Sequence, residues 1–541
     1  MAAFTQQLFD PTFGLRVHRP LIGWSAAILT GAALGFFLGH PLLWLILGTA
    51  AIVLAWHPRH LLPSTIALAL AALCLTAWRA AREYERNAMI VARLQAHQQQ
   101  GDTFPLTLIV SNDRQIIPRK RGGPYCRFSA DDAWFADGTE IHGVNLQVYY
   151  YNKAGLFPQT GETWQVEARL RKNSRRDRPA LSVHAGQLAP QQRQSHHLQY
   201  RFAPFRERLA EHLALGIPSA DAALLQTMLL GRRNRMAQSD RRRYADAGII
   251  HIFAISGLHV GLIAGFLLWL FAYVRLRLRA LIIAPILIGY LLLTGIPPSA
   301  ARACTMALLY CLAPTLCRKP NATTALFLTA AAIILIEPAW IANIGAILSF
   351  CVMGGILLLM PPLTYFANRV LHSLPQRTPP GELPGTPKLS LRLRQSFASL
   401  LALTLSAWVT AAPLSLAFFG RLSLIGLALN LFIPFLTLAI IWTACISAFA
   451  GFFFPLLSIT LNRLAATFLN LLSLASDTLL AIPGSTLIID NRPGFTTTFL
   501  LEAALLLAGL WLRLQERKFR LADPFDPLIP RLDSQPPRAG M

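Results

Sequence analysis

His251-Ile-Phe-Ala-Ile-Ser-Gly-Leu-His-Val-Gly261 opens an apolar run that extends from 250 to 274. Such a run is long enough to cross a hydrocarbon core, which takes roughly 17–25 apolar residues. Its polar members are the unusual part. Two histidines and a serine inside a span are costly and face a cavity or a partner. Gly257, Gly261 and Gly265 fall four apart, a small-residue face suited to close helix contact. Ser256 and His259 are three apart and therefore neighbours on a helix surface. A Ser–His hydrolase also needs a group to orient its histidine, and neither a nearby acid nor a GxSxG elbow is present. The stretch therefore reads as a polar kink lining a passage.

Working outward, the run is one of many. The chain has 541 residues, 54% of them apolar and 14% charged, against roughly 25% charged in an average soluble domain. Its mean hydropathy is +0.46. A soluble enzyme, a disordered tail protein and a secreted disulfide scaffold are excluded. Apolar runs near 20–39, 41–56 and 61–78 form a first block. A second block holds 250–274, 280–296, 299–316, 322–336, 339–360, 397–419, 424–453, 457–482 and 495–512. The expected fold is a polytopic α-helical membrane protein with about 12 transmembrane helices; the runs 41–56 and 322–336 are marginal in length.

Basic clusters orient it. With Arg16, His18 and Arg19 in the cytoplasm, the links 57–60, 275–279, 318–319, the loop 361–396 and the tail from Arg513 all fall on that side. Arg421 is the exception outside. The positive-inside bias then places both termini in the cytoplasm and 79–249 outside.

That insert changes character along its length. After a membrane block and linker helix (1–100), residues 101–200 alternate like strands, as in Phe104–Val110, Leu146–Tyr151 and Thr163–Leu170. Gly122-Gly123, Asp137-Gly138 and Gly161 supply turns. A small external β-barrel of OB type is expected. Its aromatics, Trp134-Phe135, Tyr149-Tyr150-Tyr151 and Trp164, fit either base stacking or a barrel core, and alternation favours core. Residues 201–249 carry helical spacing but too much charge to span, so they are expected on the membrane surface. A transmembrane domain at 250–512 and a basic cytoplasmic tail at 513–541 complete the division.

The net charge of +23 exceeds what orientation needs and calls for an anionic partner. Within 231–243, Arg232, Arg233, Arg235, Arg241, Arg242 and Arg243 stand against one acid, Asp240. They read as a funnel for a polyanion at a pore mouth, or as a surface helix on anionic headgroups. Arg302 opens a later span and either snorkels to headgroups or faces a pore. Asn343, Ser349, Asn430 and Asp477 read as helix–helix hydrogen bonds. No dense histidine cluster, CxxC pair or Walker loop occurs, so no metal, cofactor or nucleotide chemistry is expected, and the chain is not read as an enzyme.

Leu229-Leu230-Gly231-Arg232 and His251 through Val260 resemble the signature of the ComEC family of competence proteins. Pro297 to Arg302, Ala346 to Phe350, and Thr410 to Pro413 with Phe419-Gly420 and Asn430 resemble later elements in the same order. The resemblance covers roughly 205–480. It implies an inner-membrane channel conducting single-stranded DNA into the cytoplasm during natural transformation. Implied partners are single-stranded DNA, membrane lipids, a periplasmic DNA receptor and a cytoplasmic motor, with a homo-oligomer as an option. His251, Ser256, Gly257, His259, Arg302 and Asn430 would line the pathway, and the six arginines would collect phosphates. A family stretch reading NPGGFD is missing here, and the chain reads as a short form without a C-terminal metallo-β-lactamase-like domain. Two alternatives stand beside this reading: a transporter or flippase for an anionic lipid or glycan, and an intramembrane hydrolase.

Overall fold

The computed structural model describes residues 27–33, 64–100, most of 103–191, 202–316, 320–373, 389–489 and 493–522. The expected spans 20–39 and 41–56 lie outside the described residues apart from 27–33. The chain divides into two units, Arg19–Ser349 with Phe432–Ser485, and Phe350–Leu431 with the residues from Thr486 onward.

In the first unit, helix α1 (Ser64–Gln100) runs unbroken from the expected span into the expected linker. Nothing interrupts it because no glycine or proline lies between its ends. Its polar half docks on the β domain. Ile90 and Leu94 enter that domain's core, and Arg93 lies over the Phe135 ring at 4.3 Å while bonding Asp137 at 2.7 Å.

Seven strands form one sheet: β1 (Phe104–Ile109), β2 (Gln115–Ile117), β3 (Tyr125–Phe135), β4 (Glu140–Tyr151), β5 (Thr163–Leu170), β6 (Ala180–His184) and β7 (Leu188–Gln191). Strand β1 pairs antiparallel with both β3 and β5. Strand β4 pairs antiparallel with β3 and parallel with β6, and β6 pairs with β5. The period-2 pattern sets the faces: Val166 and Ala168 are buried, while Gln165, Glu167 and Arg169 are exposed. Register also sorts the aromatics. Phe135 and Tyr150 are core, whereas Trp134, Tyr149 and Tyr151 are half-buried, and Arg171 covers Tyr149 at 4.3 Å.

Short helices follow: α2 (Ala203–Ala214), α3 (Ser219–Leu230), α4 (Gln238–Asp246), α5 (Gly257–Leu270), α6 (Leu276–Leu293), α7 (Pro298–Leu312) and α8 (Ala322–Ile336). Val260, Ala264, Ile283, Leu287, Ala303 and Cys304 make the core shared by α5, α6 and α7. Two 3-10 turns, Arg233–Arg235 and Ile250–Phe253, flank α4.

Helix α9 (Ile344–Ser373) starts in the first unit and continues in the second, which also holds α10 (Leu389–Phe419), the first turns of α11 (Gly426–Ala450) and α13 (Phe495–Ala522); α12 (Pro455–Leu480) belongs to the first. In the second unit, β8 (Arg421–Ser423) pairs with β9 (Thr486–Ile488). Helices α9 and α13 advance in step, with Gly509 packed on Leu358 and Leu359 and Arg513 donating to the Leu357 carbonyl oxygen.

Among the described residues, five helices are long and apolar enough to cross a membrane: Ile344–Arg369, Leu393–Phe419, Gly426–Ala450, Pro455–Leu480 and Thr497–Glu516. The expected spans near 250–274, 280–296 and 322–336 are shorter apolar helices, at Gly257–Leu270, Leu278–Leu293 and Ala322–Ile336. Apolarity gave each its place. The helix at Ala322–Ile336 has the bounds its run gave, whereas the 250–274 run is shortened by the break before Gly257, which protein contacts satisfy.

Candidate functional site

The arginine-rich stretch begins where α3 ends. Helix α3 is buried from Leu224 through Leu230, and Gln226 Nε2 ties it to α2 by donating to the Ala210 carbonyl oxygen at 2.8 Å. Gly231 then adopts φ 73°, a left-handed cap that any side chain would strain. A Cβ there would also stand 2.9 Å from Ile255 Cδ1.

The turn separates the six arginines into two kinds. Arg232 points inward, 4% exposed, and bonds Glu207 Oε2 at 2.7 Å; Arg235 reaches Glu207 Oε1 at 3.7 Å. Arg243 meets Asp240 at 3.3 Å, Asp477 at 3.4 Å and the Tyr244 hydroxyl at 3.0 Å. Burial opposes its charge, but Tyr244, Asp477 and Asp240 outweigh this and raise its pKa. Arg233, Arg241 and Arg242 are exposed. The protein around Arg233 and the like charge of Arg241 both lower its pKa. Two arginines that repel each other are relieved by an anion.

Tyr244 anchors the next turn. Its hydroxyl meets Ser473 Oγ at 2.6 Å, and its ring lies 4.5 Å from that of Phe253. After the 3-10 turn, Ala254 and Ile255 are extended and Ser256 caps α5. The run from 250 is thus broken rather than a single span, and the break is satisfied by side chains. Ser299 Oγ donates to the Ile255 carbonyl oxygen at 2.6 Å, and the Ser256 N–H approaches His259 Nδ1 at 3.4 Å. Tyr290 donates to the Leu229 carbonyl oxygen at 3.1 Å. Nearby, Ile296 takes φ 53° directly after Gly295 at φ 78°, an uncommon conformation for a β-branched residue.

Arg302 comes to this same break. It is 7% exposed on α7. Its Nε donates to Ser349 Oγ at 2.7 Å and its Nη1 to Met306 Sδ at 3.5 Å. Its Nη2 lies against Gly257, where an added Cβ would stand 2.9 Å away. The guanidinium therefore sits at the N-terminus of α5, itself partially positive. The close contact expected of the glycine face is made by Gly257 with Arg302. At Gly261 and Gly265 a Cβ would meet nothing within 4 Å among the described residues.

His251 is exposed and His259 fully buried. Ser256 Oγ and His259 Nδ1 are 3.0 Å apart, and Nε2 has no hydrogen-bond partner among the described residues. Asn430 belongs to the second unit, half-buried on α11. Glu207, Ser299 and Tyr244 were not singled out in the sequence. Of these, only Glu207 carried a signal, as an acid on a helix preceding an arginine cluster. Among the described residues no group of three metal-ligating side chains occurs.

The seat of this stretch is equally specific. Asn462 Nδ2 donates to the carbonyl oxygens of His212 at 2.8 Å and Leu215 at 3.0 Å, and Ser447 Oγ donates to Asn462 Oδ1 at 2.6 Å. The end of α2 is thereby fixed on α11 and α12.

Several long apolar helices, with a broken helix held around a buried arginine, define a multi-pass membrane protein. A competence-protein family model matches residues 228–515, and the chain belongs to that family. It is 24% identical over 281 residues to ComE operon protein 3 of Bacillus subtilis (strain 168), across 51% of this chain and 32% of that protein. The chain therefore spans about a third of that relative's length. No solved structure matches it.

Proposed function

We propose that this protein acts in DNA uptake during competence, as an inner-membrane channel that conducts single-stranded DNA into the cytoplasm. The observation that carries the reading is the exposed arginine group Arg233, Arg241 and Arg242, next in sequence to the break where Arg302 meets the start of α5. A phosphate backbone is the polyanion such a charge arrangement attracts. Membership of the competence family supports the same reading. Both termini are cytoplasmic and the β domain external, as the basic loops favour. The strand pairings, which return from β5 to β1 and include one parallel pair, support an OB-like barrel there. No catalytic step is assigned to the chain, so a DNA receptor outside and a motor inside are its proposed partners.

The test is delivery of labelled DNA to the cytoplasm of a host lacking its own channel, with expression and membrane insertion verified. Cytoplasmic label that depends on Arg233, Arg241 and Arg242 is the expected result. Label retained at the surface, with receptor and motor supplied, would overturn it. The 3.0 Å Ser256–His259 contact favours a second reading, an intramembrane hydrolase. Unchanged DNA uptake in Ser256→Ala, together with loss of hydrolysis, would promote that reading instead.

A further inference from the structure

Helix α13 turns an unusual face inward. Leu500, Leu501, Leu507 and Leu510 are exposed, while Thr498, Glu502 and Glu516 are each at most 3% exposed. With Gly509 these recur at spacings of four and seven, a single helix face. Leucine faces lipid and the polar groups face protein. Glu502 is the exceptional member, because neither carboxyl oxygen has a hydrogen-bond partner among the described residues. An ionised carboxylate in such surroundings is far costlier than the neutral acid.

Among the described residues the neighbours make no hydrogen bond to that carboxyl. Cys351 of α9 is close enough to interact with it electrostatically. One turn along α9, Gly355 rests directly on Thr410 of α10. The hydroxyls nearby are turned to their own helices: Thr410 donates to the Ser406 carbonyl oxygen at 2.7 Å, Ser406 to that of Ala402 at 2.6 Å, and Thr498 to that of Gly494 at 3.0 Å. Charged groups on these helices are distant along the axis. At 1.5 Å per residue, Arg513 and Glu516 lie roughly 16 and 21 Å beyond Glu502, Arg369 lies roughly 27 Å beyond Cys351, and Arg394 lies roughly 24 Å before Thr410. A divalent cation needs six or so oxygen ligands and finds one carboxyl here. A proton needs one oxygen.

We propose that Glu502 is a proton-binding site inside the membrane-spanning bundle, loaded while α9, α10 and α13 are packed and emptied only when that packing opens. Losing the proton creates a charge that the closed seam cannot solvate, so release and opening are one linked equilibrium. If opening accompanies DNA passage, a step that rests on the function proposed above, a proton gradient would bias the passage.

The experiment uses the full chain in phosphatidylethanolamine–phosphatidylglycerol vesicles, without DNA, so it fails or succeeds independently of the uptake reading. Infrared difference spectra across a pH titration report protonated carboxyls. In parallel, peptide mass spectrometry follows alkylation of Cys351 by N-ethylmaleimide, with Cys445 of the other unit as internal reference. A carboxylic band present at neutral pH should vanish in Glu502→Gln and shift in Glu502→Asp. Cys351 alkylation should rise with pH more steeply in the unaltered protein than in Glu502→Gln. The excess should be about one further factor of ten per pH unit, as loss of one proton requires. Equal slopes in the two proteins would overturn the linkage. An unchanged infrared band in both variants would overturn the site itself, and Glu502→Asp keeps that arm decisive should the glutamine variant misfold.

Discussion

The guanidinium of Arg302 occupies the space where residue 257 would carry its Cβ: the Nη2 atom stands 2.9 Å from that position. Glycine at 257 therefore admits a buried cation to the first turn of α5. The displaced atom would be the tip of a flexible side chain, so Gly257→Ala should cost about 1 kcal/mol, at the low end for overpacking. DNA uptake should fall well beyond what that loss explains. Gly261→Ala and Gly265→Ala meet open space and should leave uptake unchanged. Uptake and thermal unfolding measured on the three variants decide this, and equal uptake in all would remove Arg302 from the pathway.

The two kinds of arginine should separate in a salt titration of single-stranded DNA binding. Each phosphate contact contributes about 0.7 to the slope of log affinity against log salt. Changing exposed Arg233, Arg241 and Arg242 together to Gln should therefore flatten the slope by about 2. Arg232→Gln should instead lower stability, because Arg232 is buried against Glu207, and leave the slope intact. A slope change in Arg232→Gln alone would contradict the assignment.

Asn462 is fully buried and serves His212, Leu215 and Ser447 at once. Asn462→Leu keeps the volume but strands those partners, at about 1–3 kcal/mol for each buried group left unsatisfied. The expected outcome is loosening of α2, read as faster amide exchange at 209–215 and earlier proteolysis near 216. Exchange unchanged from the parent would show that α2 is held by other contacts.

Outside the membrane helices, the Thr139 backbone N–H and the Arg93 guanidinium hold the Asp137 carboxyl at about 2, against an ordinary 3.8. The folded value is depressed, so this contribution to stability is complete above the unfolded value. It is lost as pH falls from 3.8 toward about 2. Asp137→Asn should flatten the acid dependence of the β domain's unfolding in that window, measured by intrinsic fluorescence of Trp134 and Trp164. An unaltered acid profile would mean that the α1 contact does not stabilise this domain.

Much of this was legible in the residues. Alternation at 104–110, 146–151 and 163–170 located strands that the sheet contains, because a period of two has a single structural meaning. The polar break at 251–259 was legible for a similar reason: histidine and serine are too costly in a continuous lipid-facing helix. Apolar runs identified helices, although among the described residues some of those helices are shorter than a span requires. Hydropathy measures preference for an apolar medium, and a run such as 250–274 finds that medium in neighbouring protein as well as in lipid.

The residues alone showed that the chain is a membrane protein of the competence family, where three of its strands and its apolar helices fall, and that arginines crowd the approach to a polar kink. Those properties reside in composition and local period. The folded arrangement settled that Arg232 and Arg243 are held by acids while Arg233, Arg241 and Arg242 face water. It also settled that Arg302 lies on Gly257 and that, among the described residues, none hydrogen-bonds the Glu502 carboxyl. Each of those depends on which distant residue arrives beside a given atom. Charge and burial at a site are sums over such neighbours, and no local pattern in the chain contains them.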